Sequence, residues 1–82
     1  MLSPDIVLKA KQEAAYMMQC DINSIKFSDP EPIDDSKIVY RMTANIMNQS
    51  MIYHLSPTHF RKLYHIKVER NAQKTMIASQ GN

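Results

Sequence analysis

Lys37-Ile38-Val39-Tyr40-Arg41-Met42-Thr43-Ala44-Asn45-Ile46-Met47-Asn48-Gln49-Ser50-Met51-Ile52-Tyr53-His54-Leu55 is the stretch that decides the fold, because it reads either as a β-hairpin or as a helix. Ile38, Tyr40, Met42, Ala44 and Ile46 alternate with Val39, Arg41, Thr43 and Asn45, which is the period of a half-buried strand. Ile38, Met42 and Ile46 also recur at i, i+4 and i+8, and Asp34-Asp35-Ser36 could cap a helix. The strand reading is the better one. Aromatic and β-branched residues are enriched early, Asn48 and Gln49 suggest a reversal, and Met51, Tyr53 and Leu55 then alternate with Ile52 and His54. The expectation is a hairpin of 37–46 with 50–55, with Tyr40 and Met42 on its buried face.

Upstream, Leu2-Ser3-Pro4 is a helix start. Ser3 can accept an orphan backbone N–H, Pro4 lacks one that would be wasted, and Leu2 can staple to Val7. Ile6, Val7, Ala10, Ala14, Met17 and Met18 then share one stripe, which predicts a helix over about 4–19. Ser24-Ile25-Lys26-Phe27-Ser28 alternates and predicts a short strand. Asp29-Pro30-Glu31-Pro32 removes two backbone donors, so an acidic, proline-stiffened loop is expected over about 29–36.

Downstream, the same tripeptide recurs as Leu55-Ser56-Pro57, with Phe60 placed to staple to Leu55. Phe60, Leu63, Tyr64, Val68 and Ala78 form a helical stripe with Ala72 and Met76 at its edge, which predicts a C-terminal helix over about 57–79. Ile66 and Ile77 fall off that stripe. Such a helix would be ~35 Å long against a diameter of roughly 30 Å for a compact chain of this length, so its distal part, through Ile66 and Ile77, is expected to join two copies. The alternation of Tyr64, Ile66 and Val68 carries the opposite signal, an early stop and a short strand.

The chain has 82 residues, enough for one domain over 1–82, with residues about 79–82 expected to fray. Its net charge of +2 is unevenly spread. Residues 1–55 carry five basic and seven acidic side chains, whereas residues 56–82 carry five basic and one acidic. The single cysteine, Cys20, excludes an internal disulfide and suits a reducing compartment. With charges at Asp5, Lys9, Lys11 and Glu13 and no membrane-length apolar run, a cytoplasmic location is expected.

No enzymatic constellation emerges. His54, His59 and His65 are five and six apart, which fits no zinc spacing, so no metal is expected. Cys20 has no patterned histidine partner, and Gly81 is the only glycine, so neither a nucleophile elbow nor a phosphate loop can be built. No cofactor is expected. The reading is a non-catalytic regulatory or adaptor module of α+β class, order α-β-β-β-α, with a three-stranded antiparallel sheet packed with two helices. It would act through a protein partner, as a homodimer, using Arg61, Lys62, Ile66, Lys67, Arg70, Lys74 and Ile77.

The alternative is a nucleic-acid-binding regulator. Lys67, Arg70 and Lys74 at i, i+3 and i+7 would line one flank of the C-terminal helix and track phosphates. Leu55-Ser56-Pro57 with Phe60, Leu63 and Tyr64 also resembles the start of the recognition helix in arabinose-regulator-type helix-turn-helix proteins. The resemblance covers about ten residues and implies that Thr58, His59, Arg61 and Lys62 face the DNA groove. It also implies a supporting helix with Ile46 and Ser50 on it. Gln49 stands where that family has an apolar contact, Ile52 would be exposed, and the glycine after the recognition helix is missing.

Overall fold

A computed structural model describes residues 2–68 of the chain. Ser3 caps the only helix longer than one turn among them: its Oγ accepts the Asp5 N–H at 3.1 Å, and α1 runs Pro4–Met18. The helix stops at Gln19, which adopts the left-handed conformation with φ 57°. Ile6, Ala10, Ala14 and Met18 form its buried stripe, while Val7 and Met17 are half-buried beside it. A single 3-10 turn, Ile22–Ser24, follows, capped by the Asp21 carboxylate.

Five strands make one antiparallel sheet: β1 (Lys26–Phe27), β2 (Glu31–Pro32), β3 (Tyr40–Ile46), β4 (Gln49–Leu55) and β5 (Phe60–Lys67). β1 and β2 both pair with β3 and together form one interrupted edge. Between the pairs Phe27–Ala44 and Glu31–Arg41 the edge advances four positions while β3 advances three, a one-residue bulge. Ser28 bridges it, donating its N–H to the Thr43 carbonyl at 3.0 Å and accepting the Thr43 N–H on Oγ at 2.9 Å. Because the Ile33 N–H bonds the Val39 carbonyl, Pro30 and Pro32 occupy the alternate positions whose missing N–H groups would have faced outward.

β3 and β4 are joined by the two-residue turn Met47–Asn48 and pair in register from Tyr40–Leu55 to Ile46–Gln49. β4 and β5 pair around the loop of residues 56–59, with Tyr64 opposite Ile52 and Lys62 opposite Tyr53. Leu63 is therefore the extra, bulged residue of β5.

α1 covers one face of this sheet. Met42 and Ala44 from β3, with Met51, Tyr53 and Leu55 from β4, are fully buried against Ile6, Ala10, Ala14 and Met18. Met42, Met51 and Leu55 each contribute about 1.5–3 kcal/mol by leaving water. The Tyr53 hydroxyl donates to the Glu13 carboxylate at 3.1 Å, and its ring meets Phe60 edge-on at 6.0 Å.

The α+β class, the first helix and the hairpin follow the sequence, with Met42 buried and Tyr40 half-buried against the core. Three expectations are corrected. The acidic stretch is not all loop, because Glu31–Pro32 rejoins the ladder once the bulge has turned both prolines outward. Among the described residues the sheet has five strands, not three. Residues 57–67 are a turn and a strand, not a helix, since β4 offers Phe60–Lys67 a complete ladder and a wall of buried side chains. With that helix goes the helix-turn-helix arrangement, because Ile46 and Ser50 lie on β3 and β4. Residues 69–79 of the expected helix lie outside the described residues, as does the expected frayed end.

Candidate interaction surface

Strand alternation puts three cross-strand rows on the sheet face opposite α1. One runs Glu31, Arg41, His54, Arg61; the next Thr43, Ile52, Tyr64; the third Lys26, Asn45, Ser50, Ile66. No described element covers this face. Tyr64 and Ile66 are about half exposed, at 43% and 50%, and Val68 continues their alternation at 54%. With half-buried Ile52 they form an apolar strip along β5, flanked by the basic row.

The candidate residues separate by position. Thr58 and His59 sit in the β4–β5 loop, where Thr58 Oγ1 meets His59 Nδ1 at 2.7 Å. Ser56 Oγ accepts the His59 N–H at 3.1 Å and the Ser56 N–H bonds the His59 carbonyl at 2.8 Å, so the loop is closed on itself. Arg61 and Ile66 lie on the uncovered face; Lys62 and Lys67 point to the α1 side, opposite Tyr53 and Gln49. Thr58, His59, Arg61 and Lys62 thus do not form one group. Arg70, Lys74 and Ile77 lie outside the described residues.

The polar groups on the covered side serve the fold. Gln49 Nε2 donates to the Met18 carbonyl at 3.3 Å, and its Oε1 meets His65 Nε2 at 2.8 Å, tying the end of α1 to β5. Burial first, then the Glu13 charge and hydrogen bond, push the Tyr53 hydroxyl above the ordinary tyrosine range. In the β2–β3 loop the Ser36 hydroxyl and N–H hold Asp34 below its ordinary value. Among the described residues no three His, Cys, Asp or Glu side chains converge, and no helix is long and apolar enough to cross a membrane. A shallow groove of about 440 Å³ lies at one end of the sheet, lined by Ile33, Val39, Leu55 and Phe60 with His54 and Arg61.

Tyr64, Ile52 and the row of Arg41 and His54 were not among the candidates. The signal for Tyr64 was the Tyr64-Ile66-Val68 alternation; for Arg41 and His54 it was their common out-facing phase in the expected hairpin. Comparison with family models, curated proteins and solved structures gives no significant match.

Proposed function

We propose that this chain is a small, non-catalytic interaction module that pairs with a second copy of itself through the uncovered sheet face. The observation that carries this reading is the strip of Ile52, Tyr64, Ile66 and Val68, which no described element covers, on a sheet whose other face is closed by α1. The strip can pair with itself: a two-fold axis along the strands near β5 lays the apolar side chains of one copy on those of the other, an isologous contact. A regulatory or adaptor role is consistent with such a surface. The adjacent Ser56 and His59 support non-catalytic use, since each is engaged within its own loop.

Sedimentation equilibrium at roughly tens of micromolar, the range of modest dimers, tests the reading. The wild-type chain is expected to be dimeric, and Tyr64→Glu with Ile66→Asp monomeric with unchanged circular dichroism. A wild-type monomer at that concentration would remove the sheet-face dimer.

A further inference from the structure

The two edges of the sheet differ in a way that assigns a second interaction surface. At the β1/β2 edge, Pro30 and Pro32 replace outward N–H donors, so an incoming strand finds half a ladder. β5 has no such device. The Val68 N–H bonds the Asn48 carbonyl and the His59 carbonyl accepts from Ser56, which fixes the phase of the β4–β5 ladder. With the bulge at Leu63, that phase turns the N–H and C=O of Phe60, Lys62, His65 and Lys67 away from β4. No described strand meets them.

β5 bears Arg61, Lys62 and Lys67 and no acidic residue. A second β5 would bring cations against cations, and the sequence that follows, with Arg70 and Lys74 against Glu69, offers no compensating charge. The acidic β1/β2 edge of another copy has the right sign but lacks donors at Pro30 and Pro32. A DNA backbone could meet the cations yet has nothing to donate to the row of outward carbonyls, and an RNA backbone offers them only its 2′-hydroxyls.

We propose that β5 is a docking edge to which an acidic, extended segment of another protein adds as a further antiparallel strand. The proposal shares the protein-binding reading above but uses the edge, not the face. The register dictates the segment. Acidic residues stand beside Lys67 and, four positions on, Lys62, with a third beside Arg61 on the opposite face; between them, apolar residues flank Ile66 and Tyr64, and a small polar one meets His65. Glu-Val-Thr-Val-Glu-Asp satisfies this pattern.

The test uses the full chain and a labelled peptide holding that sequence between glycine-serine flanks, read by fluorescence anisotropy and amide exchange. Binding should be saturable and should slow exchange at Lys62, His65 and Lys67. Replacing the peptide threonine by proline removes a ladder donor and should abolish it. Lys62→Glu with Lys67→Glu should weaken it roughly 10-fold or more, the scale of two cross-strand charge pairs made repulsive. Binding of that variant should be restored by the peptide Lys-Val-Thr-Val-Lys-Asp. Indifference to the proline would show charge attraction alone and overturn strand addition. Capture of a single-stranded oligonucleotide in preference to the peptide would overturn the protein partner. Self-association that excludes the peptide would make a second copy the occupant and also overturn the proposal, whereas loss of the sheet-face dimer with peptide binding intact would leave it standing.

Discussion

Leu2-Ser3-Pro4 and Leu55-Ser56-Pro57 are the same tripeptide with opposite outcomes: a fifteen-residue helix follows the first, and a hairpin loop with a strand follows the second. The local chemistry is nearly shared. Ser3 Oγ accepts the N–H two residues on, and Ser56 Oγ accepts the N–H three residues on, both of which are helix-capping bonds. A cap therefore makes a helix start available and does not compel one. After Pro4 the only apolar pattern is helical and its stripe closes the core; after Pro57 the chain can instead lie along β4, where a full ladder exists.

Tyr53 joins the two outcomes, since its hydroxyl holds Glu13 of α1 and its ring packs on Phe60 of β5. The largest expected effect is accordingly Tyr53→Ala, which should cost about 3–5 kcal/mol as a large-to-small change in a closed core. For a domain of this size that is much of the total stability. Tyr64→Ala, an aromatic truncated on the open face, should stay within about 1 kcal/mol in the monomer. Urea midpoints of the two variants, taken at a concentration where the chain is monomeric, measure the contrast. Equal losses would mean that the open face is as closed as the core.

Tyr53→Phe keeps the ring and cuts only the link to α1, at a cost of about 1 kcal/mol for one net hydrogen bond. It also carries a pH signature. The folded state raises the Tyr53 pKa, so its hydroxyl contributes stability in full below the ordinary tyrosine value of about 10 and loses it as pH rises through the folded value. The wild-type urea midpoint should fall relative to Tyr53→Phe as pH rises from about 10 toward the folded value. Parallel pH profiles would show that neither burial nor the Glu13 contact raises the Tyr53 pKa in solution.

The first helix and the β3–β4 hairpin were legible because each has one unbroken period. The hairpin is read even though its turn has no glycine: Met47 takes φ 42° instead, and the reversal falls one residue earlier than Asn48 and Gln49 suggest. β5 was not legible as a whole. Its bulge at Leu63 shifts the phase of the strand, so Phe60, Leu63 and Tyr64 fall at helical spacing although they lie on an extended chain. Only Tyr64, Ile66 and Val68, beyond the bulge, keep period two. β2 was hidden for a related reason, since which way a proline's missing N–H points depends on register, and the bulge beside Ser28 sets that register. The face and the edge that no described element covers follow from these pairings, so neither could be read before them.

The smallest expected effect tests the paired tripeptides directly. Ser3→Ala removes the bond to the Asp5 N–H at a helix start whose first-turn donors have no ladder to replace it, and should cost ~1 kcal/mol. Ser56→Ala removes two exposed side-chain bonds to His59, one accepted from its N–H and one donated to its carbonyl, inside a loop that keeps its Ser56 N–H to His59 carbonyl bond and whose strands stay paired on both sides. Its cost should be about half as large, near the lower end for an exposed hydrogen bond, since that carbonyl keeps its backbone donor. Both variants can be compared by thermal denaturation at fixed pH. If Ser56→Ala proves the more damaging, the serine bond is what holds the second tripeptide in its hairpin, and pairing with β4 is not sufficient to override the helix start.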